Sequence, residues 1–251
     1  MRFSIGDTLS AETTGSPLKF TPRFDITSPQ VIVAGYADPE GREALLGATF
    51  GSMQWLWSDT DEIRFDLQSR ELVGATFYVP VMSVPTQVRR RLPDDPRPLQ
   101  AGLRANAAEE FTLPQTTVFC CPPEATELTC LRDLGVLDRP LDARIGVGPD
   151  INLLVQGDAV VGWSLTDPAR YLTDGFADPD VTPPSPATRL RLAECLELVS
   201  SPLVDEVMDQ DADAWHRLRA TERALRDQRD DRRRADVLHR VVSRLIEDYE
   251  S

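Results

Sequence analysis

Residues 49–79 read TFGSMQWLWSDTDEIRFDLQSRELVGATFYV, and this stretch decides the fold class. Ile63, Phe65 and Leu67 alternate with charged residues, a pattern typical of a half-buried strand. Two polar turns, DTDE and QSRE, separate that strand from apolar segments on either side. Three strands joined by short turns predict an antiparallel meander.

A second hairpin is predicted further along the chain. The apolar segments 151–156 and 159–165 flank Gly157-Asp158, a pair suited to a two-residue turn with positive φ at its first central position. We therefore expect an α+β protein: an antiparallel sheet built from hairpins, packed by helices, with a helical C-terminal region.

Several helix starts are marked by local signals. Asp38-Pro39 and Ser185-Pro186 each place a capping side chain before a proline at the first helical position. Another helix is expected from Pro122 to Gly135, because three leucines recur there at every third position: Leu128, Leu131 and Leu134.

The last forty residues are predicted to be mostly helical. Residues 211–249 form one long helix or two, and the charged stretch at 227–234 favours a turn between two. The final segment carries an apolar stripe at helical spacing, formed by Leu238, Val241, Val242, Leu245, Ile246 and Tyr249. This stripe packs on the chain's own sheet or serves as a dimer seam.

Composition predicts three regions. Residues 1–176 form a β-rich α+β domain, residues 177–186 a proline-rich linker, and residues 187–251 a helical region packed on the first domain.

Charge and hydropathy exclude several classes of protein. The 251-residue chain carries 41 acidic and 27 basic residues, for a net charge of −14. This balance argues against nucleic acid as a partner, since phosphate binding needs clustered cations. No run approaches the roughly 18 apolar residues of a membrane span, so we expect no membrane interaction.

The N-terminal residues, the scarcity of lysine and the cysteines predict a cytoplasmic, bacterial protein. The first residues lack the apolar segment of a secretory signal. Lys19 is the only lysine among 27 basic residues, and this preference for arginine suggests a GC-rich genome. The four cysteines are expected to be buried free thiols: Cys120, Cys121, Cys130 and Cys195.

Candidate site residues lie around the meander. Asp59, Asp61 and Asp66 can supply general acid–base catalysis without histidine. Three tryptophans on predicted strands either line a binding surface or fill the core: Trp55, Trp57 and Trp163.

Other chemistry lacks support in the sequence. His216 and His239 are the only histidines, and no G-x-S-x-G elbow precedes a serine. The sequence contains no His-x-x-x-His pair and no glycine-rich phosphate loop, so we predict neither a metal nor a cofactor.

Two functions follow as hypotheses. The first is a non-catalytic acidic factor of a bacterial system that binds a basic protein, as an inhibitor, immunity-type factor or accessory subunit. Strong negative charge without a catalytic motif motivates it. The alternative is a small-molecule enzyme of specialised metabolism that uses the carboxylates and aromatics on the sheet.

Overall fold

A computed structural model describes residues 1–52, 60–84, 88 and 96–250. Within these ranges the chain forms two mostly antiparallel β-sheets, five α-helices and two 3-10 helices. The α+β prediction is therefore confirmed.

The strands of the described residues are, in chain order, β1 (Arg2–Ser4), β2 (Ser10–Thr14), β3 (Arg23–Asp25), β4 (Gln30–Val33), β5 (Thr49–Gly51), β6 (Glu62–Asp66), β7 (Leu72–Tyr78), β8 (Met82–Ser83), β9 (Leu99–Gln100), β10 (Gly102–Ala105), β11 (Val118–Cys120), β12 (Glu127–Leu131), β13 (Ala143–Gly148), β14 (Ile151–Gln156), β15 (Ala159–Thr166) and β16 (Leu172–Thr173). The α-helices are α1 (Pro39–Ala48), α2 (Pro186–Leu198), α3 (Leu203–Met208), α4 (Ala212–Asp227) and α5 (Arg232–Tyr249), and the 3-10 helices span Leu134–Asp138 and Pro168–Tyr171.

The first sheet is centred on β15. Two strands, β1 and β12, pair with one edge of β15. The sheet extends from β12 through β11 to β8, and from β1 through β2 to β10. The other edge of β15 pairs with β14, which is followed by β13 and β9. The hairpin between β14 and β15 is the predicted one, with Gln156 opposite Ala159. Gly157 and Asp158 both have positive φ, so the turn takes the form that matches strand twist.

The second sheet runs β16-β3-β4-β7-β6-β5. Its β5-β6-β7 part is the predicted antiparallel meander, with Phe50 opposite Phe65 and Ile63 opposite Ala75. This confirms the meander for the residues that the structure describes.

The expectation that the 63–67 strand is half-buried is wrong. Glu62 and Arg64 on its outer face are buried as well, because the α1 region covers them. Arg64 Nη2 donates to the Thr49 carbonyl at 3.0 Å, and Glu62 pairs with Arg42 at 2.9 Å. Alternation of apolar and charged residues predicted the strand correctly but could not show that the charges were paired and covered.

The two hairpins belong to different sheets that pack against each other. The Phe77 ring of the second sheet lies 5.3 Å from the Trp163 ring of the first, centroid to centroid. Apolar side chains from α2, α4 and α5, including Leu192, Leu218 and Leu238, belong to the same buried cluster. One hydrophobic core is therefore shared by both sheets and the C-terminal helices.

The predicted helix over 122–135 is also wrong. The segment contains β12, which pairs with β11 and β15. Leu128 and Cys130 join the main core, while Leu131 joins a smaller cluster with Val118. The true period is two, and pairing with two neighbouring strands outweighs the leucine spacing of three.

The C-terminal region forms separate helices, as expected. Ser185 caps α2 by accepting from the Thr188 N–H, and Asp211 caps α4. On α5, Leu238 and Val242 are fully buried, and the remaining stripe residues pack partly buried against the same core. The stripe therefore packs on its own chain, and a dimer seam stays a prediction.

Arg234 fixes the proline-rich segment that precedes α2. Its guanidinium is 1% exposed, pairs with Asp231 at 2.9 Å and donates to the carbonyls of Asp180 and Thr182 at 2.8 Å each. The segment is thus anchored to the start of α5, although its boundaries as a linker between domains stay a prediction.

Two further observations concern cysteines and hydropathy. The thiols of four cysteines are buried and form no disulfide bond with one another, as expected: Cys120, Cys121, Cys130 and Cys195. Among the helices of the described residues, none combines the length and apolar character needed to cross a bilayer.

The anchoring role of Arg234 gives a stability prediction. Arg234→Ala should lower the free energy of unfolding by about 3 kcal/mol, because it removes a fully buried guanidinium and leaves a partly buried carboxylate and two partly buried carbonyls without their donor. Arg233→Ala is the matched control, since the exposed Arg233 donates to one loop carbonyl, that of Asp178. Urea denaturation of both variants measures the difference. Equal, small losses would contradict the anchoring role.

Candidate functional site

Three of the six predicted site residues lie outside the described residues. These are Trp55, Trp57 and Asp59. Their roles stay predictions, and the structure places only Asp61, Asp66 and Trp163.

Asp61 is a buried carboxyl at the start of β6, with 8% of its surface exposed. Burial raises its pKa to about 7, although the N–H of Tyr78 donates to Oδ1 at 2.8 Å and opposes the shift. The Thr116 hydroxyl and the Trp163 indole also lie close enough to lower the pKa. Asp61 therefore changes protonation near neutral pH.

Trp163 lies beside this carboxyl and belongs to the main hydrophobic core. The side chain is 1% exposed, and its ring packs on Phe77. The indole Nε1 faces the Asp61 region but forms no hydrogen bond of regular geometry within the described residues. This position corresponds to the core-filling alternative for the aromatics.

The space beside Asp61 is small. Asp61, Thr116 and Trp163 line a cavity of about 10 Å³ together with apolar side chains. That volume is the lower limit for a single water molecule. In the part of the chain that the structure describes, Asp61 therefore has no room for an organic substrate.

Asp66 has a different role at the other end of β6. Its exposed carboxylate accepts from the Gln68 N–H at 3.0 Å and from the N–H and hydroxyl of Ser69 at 2.7 and 2.9 Å. These hydrogen bonds, with that from the Ser69 N–H the largest, lower its pKa. Asp66 holds the turn between β6 and β7. Five residues of strand, roughly 17 Å, separate it from Asp61, so the two carboxyls do not act together.

His239 lies in a constellation that the sequence did not reveal. Its Nε2 lies 3.1 Å from Glu222 Oε1, and its Nδ1 lies 3.4 Å from Ser243 Oγ. Glu222 and His239 stand on different helices, so only the i,i+4 spacing of His239 and Ser243 was visible beforehand. His239 and Ser243 line an open groove of about 1000 Å³ between α5 and residues 26–29.

This constellation does not complete a nucleophilic site. The Ser243–His239 distance is long for a hydrogen bond. Ser243 also lies within α5, where backbone N–H groups are already bonded inside the helix and cannot stabilise an oxyanion. We interpret Glu222 and His239 as a polar contact between α4 and α5.

Metal chemistry also lacks a site in the described residues. Within residues 1–52, 60–84 and 96–250, no group of three or more His, Cys, Asp or Glu side chains is arranged to hold an ion.

The strongest surface feature is a run of carboxylates at the α3–α4 corner. Five exposed side chains within nine residues form what we call the acidic surface: Asp205, Glu206, Asp209, Asp211 and Asp213. None of them pairs with a cation of the described residues. The nearby Arg217 and Arg219 pair instead with Glu197 and Glu250, at 3.0 and 2.5 Å.

Local packing holds the acidic surface in place. Leu203 and Val207 of α3 are buried, and Trp215 Nε1 donates to the Val207 carbonyl at 3.0 Å. Asp211 caps α4 by accepting from two backbone N–H groups. Met208, half exposed, lies among the carboxylates in the sequence. The corner is a rigid, negatively charged surface that includes an apolar side chain.

Comparison with known proteins gives no family: no protein-family model, curated protein or solved structure matches this chain.

The buried carboxyl of Asp61 gives a pH prediction. Its pKa is about 7 in the folded protein against 3.8 for the ordinary group, so the unfolded chain loses this proton first as the pH rises. The folded state therefore gains stability by keeping Asp61 protonated. This contribution is fully present below about pH 4 and is lost as the pH rises through 7. From about pH 4 to about pH 8, the free energy of unfolding of the wild type should fall by about 4 kcal/mol relative to that of Asp61→Asn, which has no carboxyl to ionise.

Asp66→Asn is the control for this measurement. Its carboxylate has a lowered pKa, so its stabilisation is present above about pH 4 and lost only in more acidic solution. Urea denaturation at several pH values compares the three proteins. A difference between Asp61→Asn and the wild type that does not change with pH would contradict the assignment.

Proposed function

We propose that the protein is a non-catalytic factor that binds a basic protein partner through the acidic surface. The observation that carries the proposal is the concentration of five exposed carboxylates, without counter-cations in the described residues, on a rigid corner. Inhibitors, immunity-type factors and accessory subunits all work through contacts of this kind.

Electrostatics supports a basic partner. Neighbouring like charges repel one another, so five clustered carboxylates carry a cost that a cationic partner removes. The net charge of −14 extends the attraction and increases the rate of encounter.

Met208 supports a protein as the partner rather than a small cation. Met208 is 50% exposed and has acidic residues on both sides in the sequence, and an exposed apolar side chain among charges is typical of interfaces, where an apolar anchor is desolvated and charges set orientation. Methionine is unbranched and adapts to the surface it meets.

The described part of the chain offers less support to the enzyme hypothesis. Asp61 is enclosed with space for one water molecule, and Asp66 holds a turn. A bacterial, cytoplasmic location belongs to the same proposal and agrees with four cysteines that form no disulfide bond with one another, since thiols stay reduced in that compartment.

The test is affinity capture with a surface variant. Asp205→Asn, Glu206→Gln, Asp209→Asn and Asp213→Asn are combined, and Asp211 is kept because it caps α4. We expect the wild type to capture a basic protein in stoichiometric amount from an extract of the cells that make it. The combined variant should bind this protein at least about fourfold more weakly, since four exposed pairs are lost and each contributes roughly 0.2–1 kcal/mol.

A second variant controls for net charge. Glu43, Glu109, Glu124 and Asp158 are exposed and scattered, and their neutralisation changes the total charge by the same amount. This control variant should retain most of the binding to the captured protein. Added salt should weaken the binding of the wild type to that protein. Capture of no basic protein by the wild type would overturn the function. Equal loss in both variants would overturn the assignment of the surface.

A further inference from the structure

A cluster of arginines stands out in a chain that is otherwise acidic. Arg2 on β1, Arg70 after β6 and Arg104 on β10 line one cavity of about 150 Å³. Arg2 and Arg104 both lie opposite Glu12 in the strand register, so these two arginines and Glu12 form a row across the sheet. The three arginines and their cavity are called the arginine pocket.

Two of the three guanidinium groups have no carboxylate partner in the described residues. Arg2 donates to Ser10 Oγ at 3.1 and 3.2 Å, and Arg70 donates to the Asn106 carbonyl at 2.6 Å. Only Arg104 is paired, with Glu71 at 2.9 Å and Glu12 at 3.9 Å. In a chain with 41 acidic residues, two clustered arginines without a carboxylate leave local positive charge.

The backbone brings Arg70 to this position. Its φ of 57° is unusual for a residue other than glycine. Its carbonyl accepts from the Ala105 N–H at 2.9 Å, and this bond fixes the turn against β10. The turn therefore places the Arg70 side chain beside Arg104.

We propose that the arginine pocket binds a phosphate group, either as the free dianion or as the end of a small phosphate monoester. Guanidinium groups match phosphate oxygens through paired N–H donors. Asn106 also lines the pocket, and while its Oδ1 accepts from the Ser10 N–H at 3.0 Å, its amide nitrogen carries two further N–H groups. The cavity of about 150 Å³ is large enough for a phosphate ion, which has five non-hydrogen atoms.

Glu12 sets the strength of this site. It lines the pocket, and its side chain is 59% exposed, so it can turn towards solvent when an anion enters. Its negative charge opposes that of the ligand. Removing the charge should therefore strengthen binding, an effect that a purely structural ion-pair row does not predict.

The experiment is isothermal titration calorimetry of the full-length protein with inorganic phosphate at constant ionic strength. The wild type should show saturable binding at one site. Arg70→Gly, which suits the positive φ, and Arg104→Gln should each weaken binding about tenfold, because a charge-assisted hydrogen bond is lost. Glu12→Gln should strengthen it several-fold.

Arg132→Gln is the matched control, because Arg132 is an exposed arginine that pairs with Asp133 outside the pocket. Its phosphate affinity should equal that of the wild type. Titration with methyl phosphate distinguishes the two ligand sources: tighter binding than phosphate identifies a monoester, and weaker binding identifies the free ion. The absence of saturable binding of both ligands, or a Glu12→Gln variant that binds phosphate no better than the wild type, would overturn the proposal.

Discussion

The contact between Phe77 and Trp163 joins the two sheets, and the rest of the structure is arranged around it. Each ring comes from one of the two hairpins, and both rings belong to the same buried cluster. Burial of aromatic surface of this size contributes a few kcal/mol per ring. Because the C-terminal helices pack on the same core, no part of the described chain forms a hydrophobic centre of comparable size alone.

Charges inside and outside this core follow different rules. Buried cations are paired or hydrogen-bonded, because an isolated buried charge is too costly: Arg64 pairs with Glu62 and Arg234 with Asp231, while Arg23 donates to main-chain carbonyls. The uncompensated negative charge is left on the surface, where water screens it, and it is concentrated at the α3–α4 corner. The arginine pocket is the reverse case, a local positive site on an acidic protein.

Local signals predicted the elements that local chemistry controls. The hairpin at Gly157, the meander and the caps at Asp38 and Ser185 were visible because a few adjacent residues determine each of them. The strand at 127–131 was missed because its partners lie elsewhere in the chain.

The candidate sites were harder to predict for the same reason. Burial of Asp61 depends on Trp163, about a hundred residues away, and the arginine pocket joins three distant segments. The acidic surface is contiguous in sequence, yet the missing counter-cations became visible only when Arg217 and Arg219 were found paired elsewhere. The sequence pointed to Asp61 but not to its burial, and it singled out neither the arginine pocket nor the acidic surface.

The way in which Arg234 holds the proline-rich segment bears on how freely that segment can change. The guanidinium contacts main-chain oxygens of Asp180 and Thr182, and every amino acid supplies such an oxygen. The helix therefore recognises the path of the segment and not the identity of its side chains. We therefore expect substitutions that keep this path to leave the fold intact, apart from those at Asp180, whose carboxylate accepts from the N–H and hydroxyl of Thr182.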